Sequence, residues 1–189
     1  MDTIYFDNAS TTFPKPRAVP DAMYDYMTRV GSNVNRGCYE RAYGVEELVY
    51  DTRERISRLF DGPACNNVVF TRKITESLNV LLKGFLRPGD HVITSSMEHN
   101  AVMRPLVQLE QQGVSFTRAA CNPDGTLNPA ELERALRPNT RAVVMTHGSN
   151  VCGPLLPIQE VGAFCKAHGL RFFVDCAQTG GVYPISMAE

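Results

Sequence analysis

Short apolar runs alternate along this chain with longer segments of helical spacing, and this alternation is the strongest constraint on its fold. The runs at 67–71, 91–95, 114–118, 141–146 and 170–175 are rich in β-branched or aromatic residues, which favours strands. The segments between them carry apolar residues at helical spacing and end at glycines or turn signals. Strands separated by helices of about 10–15 residues predict βαβ units. We therefore expect an α/β fold with a mostly parallel sheet and flanking helices.

The amino-terminal part of the chain has a different pattern. The first 20 residues carry Pro14, Pro16 and Pro20 with little periodicity, which predicts an extended arm that leads into a helix. From Ala42 to Phe60 the apolar residues form one stripe at helical spacing, which predicts a long helix. We expect an arm over residues 1–20 and a partial α/β domain over residues 21–189.

Composition excludes several classes of partner. The 189 residues carry a formal net charge of −1, which argues against nucleic acid or a membrane surface as a partner reached by bulk electrostatics. The amino terminus lacks the features of a secretory signal, and no apolar run approaches the roughly 20 residues of a membrane span. The 6 cysteines have no C-x-x-C pair and no metal-site spacing with the 4 histidines. We expect reduced thiols, a cytoplasmic protein and no metal site.

Polar residues follow the predicted strands, at the edge where ligands gather in parallel sheets. His99 follows the run 91–95, Asn150 lies in a Gly- and Pro-shaped turn after 141–146, and Asp175 ends the last run, with Gln178 close behind. Each has a purely structural alternative as a helix cap, a turn residue or a salt-bridge partner. Because these strand ends converge on one crevice, a common site explains them better than independent caps do.

A second candidate lies after the run 67–71, where Thr71-Arg72-Lys73-Ile74-Thr75 opens a helix. Free N–H groups at a helix start favour a phosphate, and Thr75 adds a hydroxyl, although Thr75 has the alternative role of an N-cap. The chain contains neither G-x-x-x-x-G-K-[ST] nor G-x-G-x-x-G, so the usual nucleotide-binding loops are absent.

These segments, in this order, resemble the fold-type I enzymes that use pyridoxal 5′-phosphate (PLP). More narrowly, they are similar to the class V aminotransferases and their cysteine desulfurase and selenocysteine lyase branch. Two further motifs support this resemblance. Residues 5–12 (YFDNASTT) are similar to the family's Y-L-D-N-A-A-T-T, and residues 32–37 (SNVNRG) contain its N-x-x-R-G pattern.

The resemblance implies a set of PLP contacts. Ile74 and Thr75 match the phosphate-binding pair, and His99 matches the histidine that stacks on the pyridine ring and helps to transfer protons. Asn150 matches the asparagine near the ring hydroxyl, Gln178 bonds that hydroxyl, and Asp175 pairs with the pyridinium nitrogen. The chemistry agrees, because a carboxylate beside the ring nitrogen keeps it protonated and the ring electron-withdrawing.

The chain also departs from the family pattern. Lys73 and Ile74 stand where small residues usually precede the phosphate threonine, and Cys152 stands where Thr or Ser is common. The family's Schiff-base lysine lies in an S/T-x-H-K motif beyond the aspartate, whereas the lysines here all precede Asp175: Lys15, Lys73, Lys83 and Lys166. We therefore expect the amino-terminal part of such an enzyme, inactive alone.

The resemblance implies that the complete protein is a homodimeric cysteine desulfurase. It would take sulfur from cysteine, leaving alanine and a protein persulfide, and would serve a sulfur-acceptor protein. Selenocysteine lyase, epimerase or aminotransferase chemistry is the alternative within the family. A non-catalytic remnant is a second alternative, which binds PLP weakly, pairs with a separately encoded half, or does neither. A flavodoxin-like or nucleotide-binding domain fits the bare βαβ pattern but leaves His99, Asp175 and Gln178 unexplained.

Overall fold

The computed structural model describes residues 4–34 and 37–188, which form two compact units. The first unit contains the chain up to residue 69 together with residues 185–188, and the second contains residues 70–184. The expected boundary after residue 20 stays a prediction. Of the motif at 32–37, Asn35 and Arg36 lie outside the described residues.

The first unit is helical. It contains α1 (Ala18–Asp25), a π-helical turn (Tyr26–Val30), α2 (Glu40–Leu59) and a short 3₁₀ turn (Cys65–Asn67). Helix α2 confirms the helix predicted from the apolar stripe. Val45 of that stripe is buried, whereas Leu48 and Leu59 are more than half exposed, because the short elements of this unit cover only part of the stripe.

The strand predicted at 67–71 is wrong. Residues 68–71 have no regular secondary structure, and Val69 and Phe70 are 76% and 48% exposed. A β-branched run becomes a strand only when a neighbouring strand accepts and supplies its hydrogen bonds. The sheet formed by the described residues does not include this run, so its propensity has no effect.

The second unit is the predicted α/β domain. Its helices are α3 (Ile74–Phe85), α4 (Asn100–Glu110), α5 (Ala130–Ala135) and α6 (Ile158–Ala167). Its strands are β1 (His91–Ser95), β2 (Ser115–Ala119), β3 (Thr140–Thr146) and β4 (Arg171–Asp175). These bounds confirm the four carboxyl-terminal strand predictions to within one residue. Nowhere in residues 4–34 and 37–188 does a helix combine the length and apolarity needed to cross a membrane.

The strands pair in parallel in the order β2-β1-β3-β4, and helices cover both faces of the sheet. Successive side chains of a strand point to opposite faces, so Val92 packs in the cluster formed with α3 and α4, and Ile93 in the cluster with α5 and α6. All of β1 is buried, as expected for a parallel strand enclosed by helices. The sheet is therefore a rigid platform for the residues that follow its strands.

Strand order changes direction between β1 and β3. The chain passes from β1 outward to β2, and then returns to place β3 on the other side of β1. Loops that leave the carboxyl ends of β1 and β3 consequently diverge and open a crevice, where ligands bind in open parallel sheets. His99 follows β1 and Asn150 follows β3, so the predicted residues flank this switch point.

Truncation of the core tests the packing. Leu82 on α3 is fully buried, and we expect Leu82→Ala to lower the free energy of unfolding by about 2–5 kcal/mol through lost burial and the cavity left behind. Val80 on the same helix is 63% exposed, so Val80→Ala is the control and should change stability by no more than about 0.5 kcal/mol. Urea denaturation measures both, and equal losses would contradict this packing.

Candidate functional site

Asp175 is the most deeply buried of the predicted site residues. It ends β4, is 4% exposed, and its Oδ1 accepts a hydrogen bond from the backbone N–H of Ala177 at 3.0 Å. A buried carboxylate is costly unless donors or a cation compensate its charge. One neutral N–H does not compensate the charge of this carboxylate, which has the capacity to accept further hydrogen bonds from a ligand.

Glu98, which the sequence analysis did not single out, joins the ends of β1 and β3. Its carboxylate accepts a hydrogen bond from the Ser95 hydroxyl at 2.5 Å and from the Thr146 backbone N–H at 3.0 and 3.1 Å. These bonds tie the loop after β1 to the end of β3. Burial, and to a lesser degree the charge of Asp175, raise the pKa of Glu98 to about 7. The sequence signal was available, because an acidic residue directly preceded the candidate His99.

His99 begins helix α4 as its N-cap. Its Nδ1 accepts a hydrogen bond from the Ala101 N–H at 3.0 Å, and the residue is exposed. The capping alternative is therefore what the structure shows. Because that bond occupies Nδ1, the imidazole is held in one orientation while Nε2 stays available for a second interaction. Capping and ring stacking are compatible roles.

The loops after β3 and β4 lie against each other. His147 Nδ1 hydrogen bonds to Thr179 Oγ1 at 2.9 Å, and both residues are buried. A Cβ on Gly148 would lie 2.8 Å from Thr179 Cγ2 and 3.8 Å from the Cβ of Gln178, so only glycine fits this approach. The loop that carries Asn150 is thereby held close to the loop that carries Gln178. Asn150 itself is exposed, and Gln178 is partly buried.

His147 and Thr179 were missed by the sequence analysis. Burial lowers the pKa of His147, which favours a neutral imidazole in the bond to Thr179. The apolar run that ends at Thr146-His147 gives no sign of a partner 32 residues later along the chain. Their contact depends on the parallel pairing of β3 with β4, which sequence periodicity does not specify.

Thr75 lies in the first turn of α3, after the N-cap Lys73. It lines an open groove of about 690 Å³ between α3 and α4, together with Asn79, Asn100 and the cationic side chains of Lys83, Arg104 and Arg118. Ile74 is 37% exposed at the same helix start. Groove contacts thus bring Thr75 near the start of α4, which His99 caps, whereas Asp175 lies at the strand ends, where its carbonyl oxygen accepts a hydrogen bond from the Thr146 hydroxyl.

Fold and site together define an α/β domain with a polar site at a topological switch point. A profile of the family "Aminotransferase class-V" matches residues 4–189. Cysteine desulfurase IscS of Shewanella oneidensis is 35% identical over 97% of this chain, and that of Anaeromyxobacter sp. is 34% identical over 98%. The chain belongs to the class V aminotransferase family.

The solved structures agree with this assignment. The apo structure of a cysteine desulfurase from Thermococcus onnurineus matches 98% of this chain with a TM-score of 0.90 and 26% identity. A structure titled "SspA in complex with cysteine" matches with the same TM-score and 27% identity. The chain spans about half the length of its relatives, 46% of each of the two desulfurases from Shewanella and Anaeromyxobacter, and corresponds to the amino-terminal portion of a cysteine desulfurase-like enzyme.

The raised pKa of Glu98 predicts a pH dependence of stability. The carboxyl has a pKa of about 7 when folded and an ordinary value of 4.5, so the folded state holds this proton more tightly. Stability supplied by Glu98 is therefore present at low pH and falls as pH rises from about 4.5 to about 7, by roughly 1–3 kcal/mol. In Glu98→Gln this loss should disappear.

Urea denaturation at about pH 5 and about pH 7.5 measures the effect as a difference between variant and parent. Burial lowers the pKa of His91 to about 4, so His91 makes stability rise with pH, opposite to Glu98. This contribution is the same in variant and parent and cancels in their difference. Glu110→Gln, at the exposed end of α4, is the control for a lost charge. If Glu98→Gln changes stability equally at both pH values, the burial of this carboxyl is not what the structure indicates.

Proposed function

We propose that this chain binds PLP at the carboxyl ends of β1, β3 and β4, and that it belongs to an enzyme that removes sulfur from cysteine. The observation that carries the proposal is the buried carboxylate of Asp175 at the end of β4. A pyridine ring nitrogen, once protonated, is a cation of the right size and polarity to compensate that charge. The names of the relatives, cysteine desulfurases among them, support the reaction class.

The donor set at the strand ends fits the cofactor. Asp175 would hold a proton on the ring nitrogen, and the His99 imidazole, oriented by its cap bond, would lie against the ring. Gln178 and Asn150, on loops held together by Gly148, would bond the ring hydroxyl. When bound, PLP supplies an electron-withdrawing ring that stabilises negative charge on the substrate. The role of this chain would be to bind that ring, orient it and keep its nitrogen protonated.

The phosphate would lie at the start of α3. N–H groups in the first turn and the Thr75 hydroxyl are donors, and the helix dipole favours the anion there. Ile74 is the residue that fits least well, because its branched side chain stands where the family has a small one. Its partial exposure supports a position at the rim of the phosphate site, and Lys73 adds a positive charge beside it.

The compartment and the assembly are part of the proposal. All six cysteines are free thiols, which supports a reducing compartment such as the cytoplasm. Resemblance to the family supports a homodimer and a sulfur-acceptor partner for the complete protein. The alternative is a non-catalytic remnant that binds PLP weakly, pairs with a separately encoded half, or does neither, and the substitutions Lys73 and Ile74 favour it.

Ligand-induced stabilisation tests the proposal. Pyridoxine 5′-phosphate is the suitable probe, because it lacks the aldehyde that reacts with surface lysines. We expect it to raise the Tm of this chain, and Asp175→Asn to weaken its affinity about tenfold or more by removing a charged hydrogen bond. Asp51→Asn, an exposed position on α2, is the matched control and should bind as the parent does.

The Tm of each variant without ligand separates lost binding from lost folding. If pyridoxine 5′-phosphate does not stabilise the parent chain, the proposed binding of PLP by this chain is wrong. If it stabilises Asp175→Asn as strongly as the parent, the ring nitrogen does not bind at Asp175.

A further inference from the structure

A buried polar pair joins the loop after β3 to the loop after β4. His147 is 7% exposed and Thr179 is 2% exposed, and the Nδ1 of the imidazole lies 2.9 Å from the threonine hydroxyl. Each group satisfies the other, and a buried polar group that loses its partner is costly. The imidazole also meets the ring of Tyr183 edge to face, with ring centroids 6.3 Å apart. The His147 side chain therefore contacts the loop after β4 at two points.

The backbone of His147 belongs to the sheet platform. Its N–H donates a hydrogen bond to the carbonyl oxygen of Asp175 at 2.9 Å, and its carbonyl oxygen accepts one from the N–H of Leu156 at 2.8 Å. Both bonds fix the point from which the imidazole projects. The side chain is consequently a fixed support, and the loop after β4 is the part that it holds.

Thr179 connects two turns of that loop. Its N–H donates to the carbonyl oxygen of Cys176 at 3.0 Å, which closes the turn that contains Gln178. Its carbonyl oxygen accepts hydrogen bonds from the N–H groups of Val182 and Tyr183, both at 3.0 Å. A displacement of Thr179 would therefore move the whole turn that carries the Gln178 amide.

The pair lies beside the two side chains that we assign to the ring hydroxyl of PLP. His147 precedes Asn150 by three residues, and Thr179 directly follows Gln178. A hydrogen bond weakens steeply when its distance or angle departs from the ideal, so two side chains that share one small ligand group must be held accurately. The bond between His147 and Thr179 supplies such a constraint between their loops.

We propose that His147 and Thr179 are positioning residues whose hydrogen bond makes the site specific for a ring that carries the hydroxyl, by holding the Gln178 amide where it bonds that group. The proposal rests on the proposed function, since the ring is that of PLP. Neither residue of the pair touches the ring in this role. A purely structural pair would instead stabilise the fold and affect every ring that fits the site equally.

Two probes separate these roles. The first is pyridoxine 5′-phosphate, and the second is its analogue in which hydrogen replaces the ring hydroxyl. Their ring nitrogens differ in basicity, but this difference is the same for every variant and cancels when variants are compared. By calorimetric titration we expect the parent chain to prefer the first probe about threefold to tenfold, the contribution of one hydrogen bond.

Two substitutions break the pair from opposite sides. Thr179→Val keeps the shape of the side chain without its hydroxyl, and His147→Phe keeps an aromatic ring beside Tyr183 without Nδ1. In each we expect the preference to fall below about twofold, while affinity for the analogue changes by less than about twofold. Because both changes remove the same bond, the double variant should lose no more of the preference than either single variant does.

A rescue variant and a control complete the set. Thr179→Ser keeps the hydroxyl and should retain the preference of the parent. Thr28→Val removes an exposed hydroxyl that donates to the Tyr24 carbonyl oxygen at 2.7 Å in the first unit, and it should also retain the preference. The Tm of each variant without ligand shows whether it folds, and His147→Phe tests the bond should Thr179→Val be unfolded.

The outcomes separate the possible failures. If the parent binds neither probe, the proposed function fails and the positioning role fails with it. If the parent binds both probes equally, binding of the phosphorylated ring stands, but the hydroxyl contact and the positioning role are overturned. If the preference survives in Thr179→Val and His147→Phe, or if both probes lose affinity equally, the proposed function stands and the pair is only a structural link between the loops.

Discussion

Parallel pairing of β3 with β1 on one side and β4 on the other determines where the candidate residues Asn150, Asp175 and Gln178 lie. The pairing places Thr146 opposite Asp175 and within reach of Glu98, so three strand ends form one polar cluster. Helices on both faces bury the strands in an apolar interior. The polar cluster lies at the edge of this interior, where the strands end and polar side chains follow. Removal of β3 from the sheet would separate the loops that carry Asn150 and Gln178.

Much of this arrangement could be predicted from sequence, because hydrophobic periodicity and turn chemistry specify elements locally. The runs that became β1 to β4 and the helices between them follow directly from these local rules. The strand prediction for residues 67–71 was wrong for a physical reason, since β-propensity has no effect without a partner strand. In α2, periodicity predicted the helix but not the exposure of Leu48, because burial depends on what packs against the stripe.

The candidate site shows the same division between local and long-range information. His99 and Asp175 stood out because each follows an apolar run, which is a local signal. Glu98 was overlooked because its importance comes from a bond to Thr146, 48 residues away along the chain, and from burial that composition does not reveal. His147 and Thr179 required the pairing of β3 with β4 to be known first. The structure also gave His99 a capping bond, which the sequence analysis treated as an alternative to a cofactor role.

The proposed PLP site depends most on a protonated pyridine nitrogen held at Asp175. Nitrogen-15 NMR of the chain with ring-labelled pyridoxine 5′-phosphate observes that nitrogen directly. We predict that, at a pH above the ring-nitrogen pKa of the free ligand, the bound ring still shows the shift of a protonated pyridinium, and that Asp175→Asn abolishes this difference. A bound ring whose nitrogen titrates as it does in free solution would contradict the account.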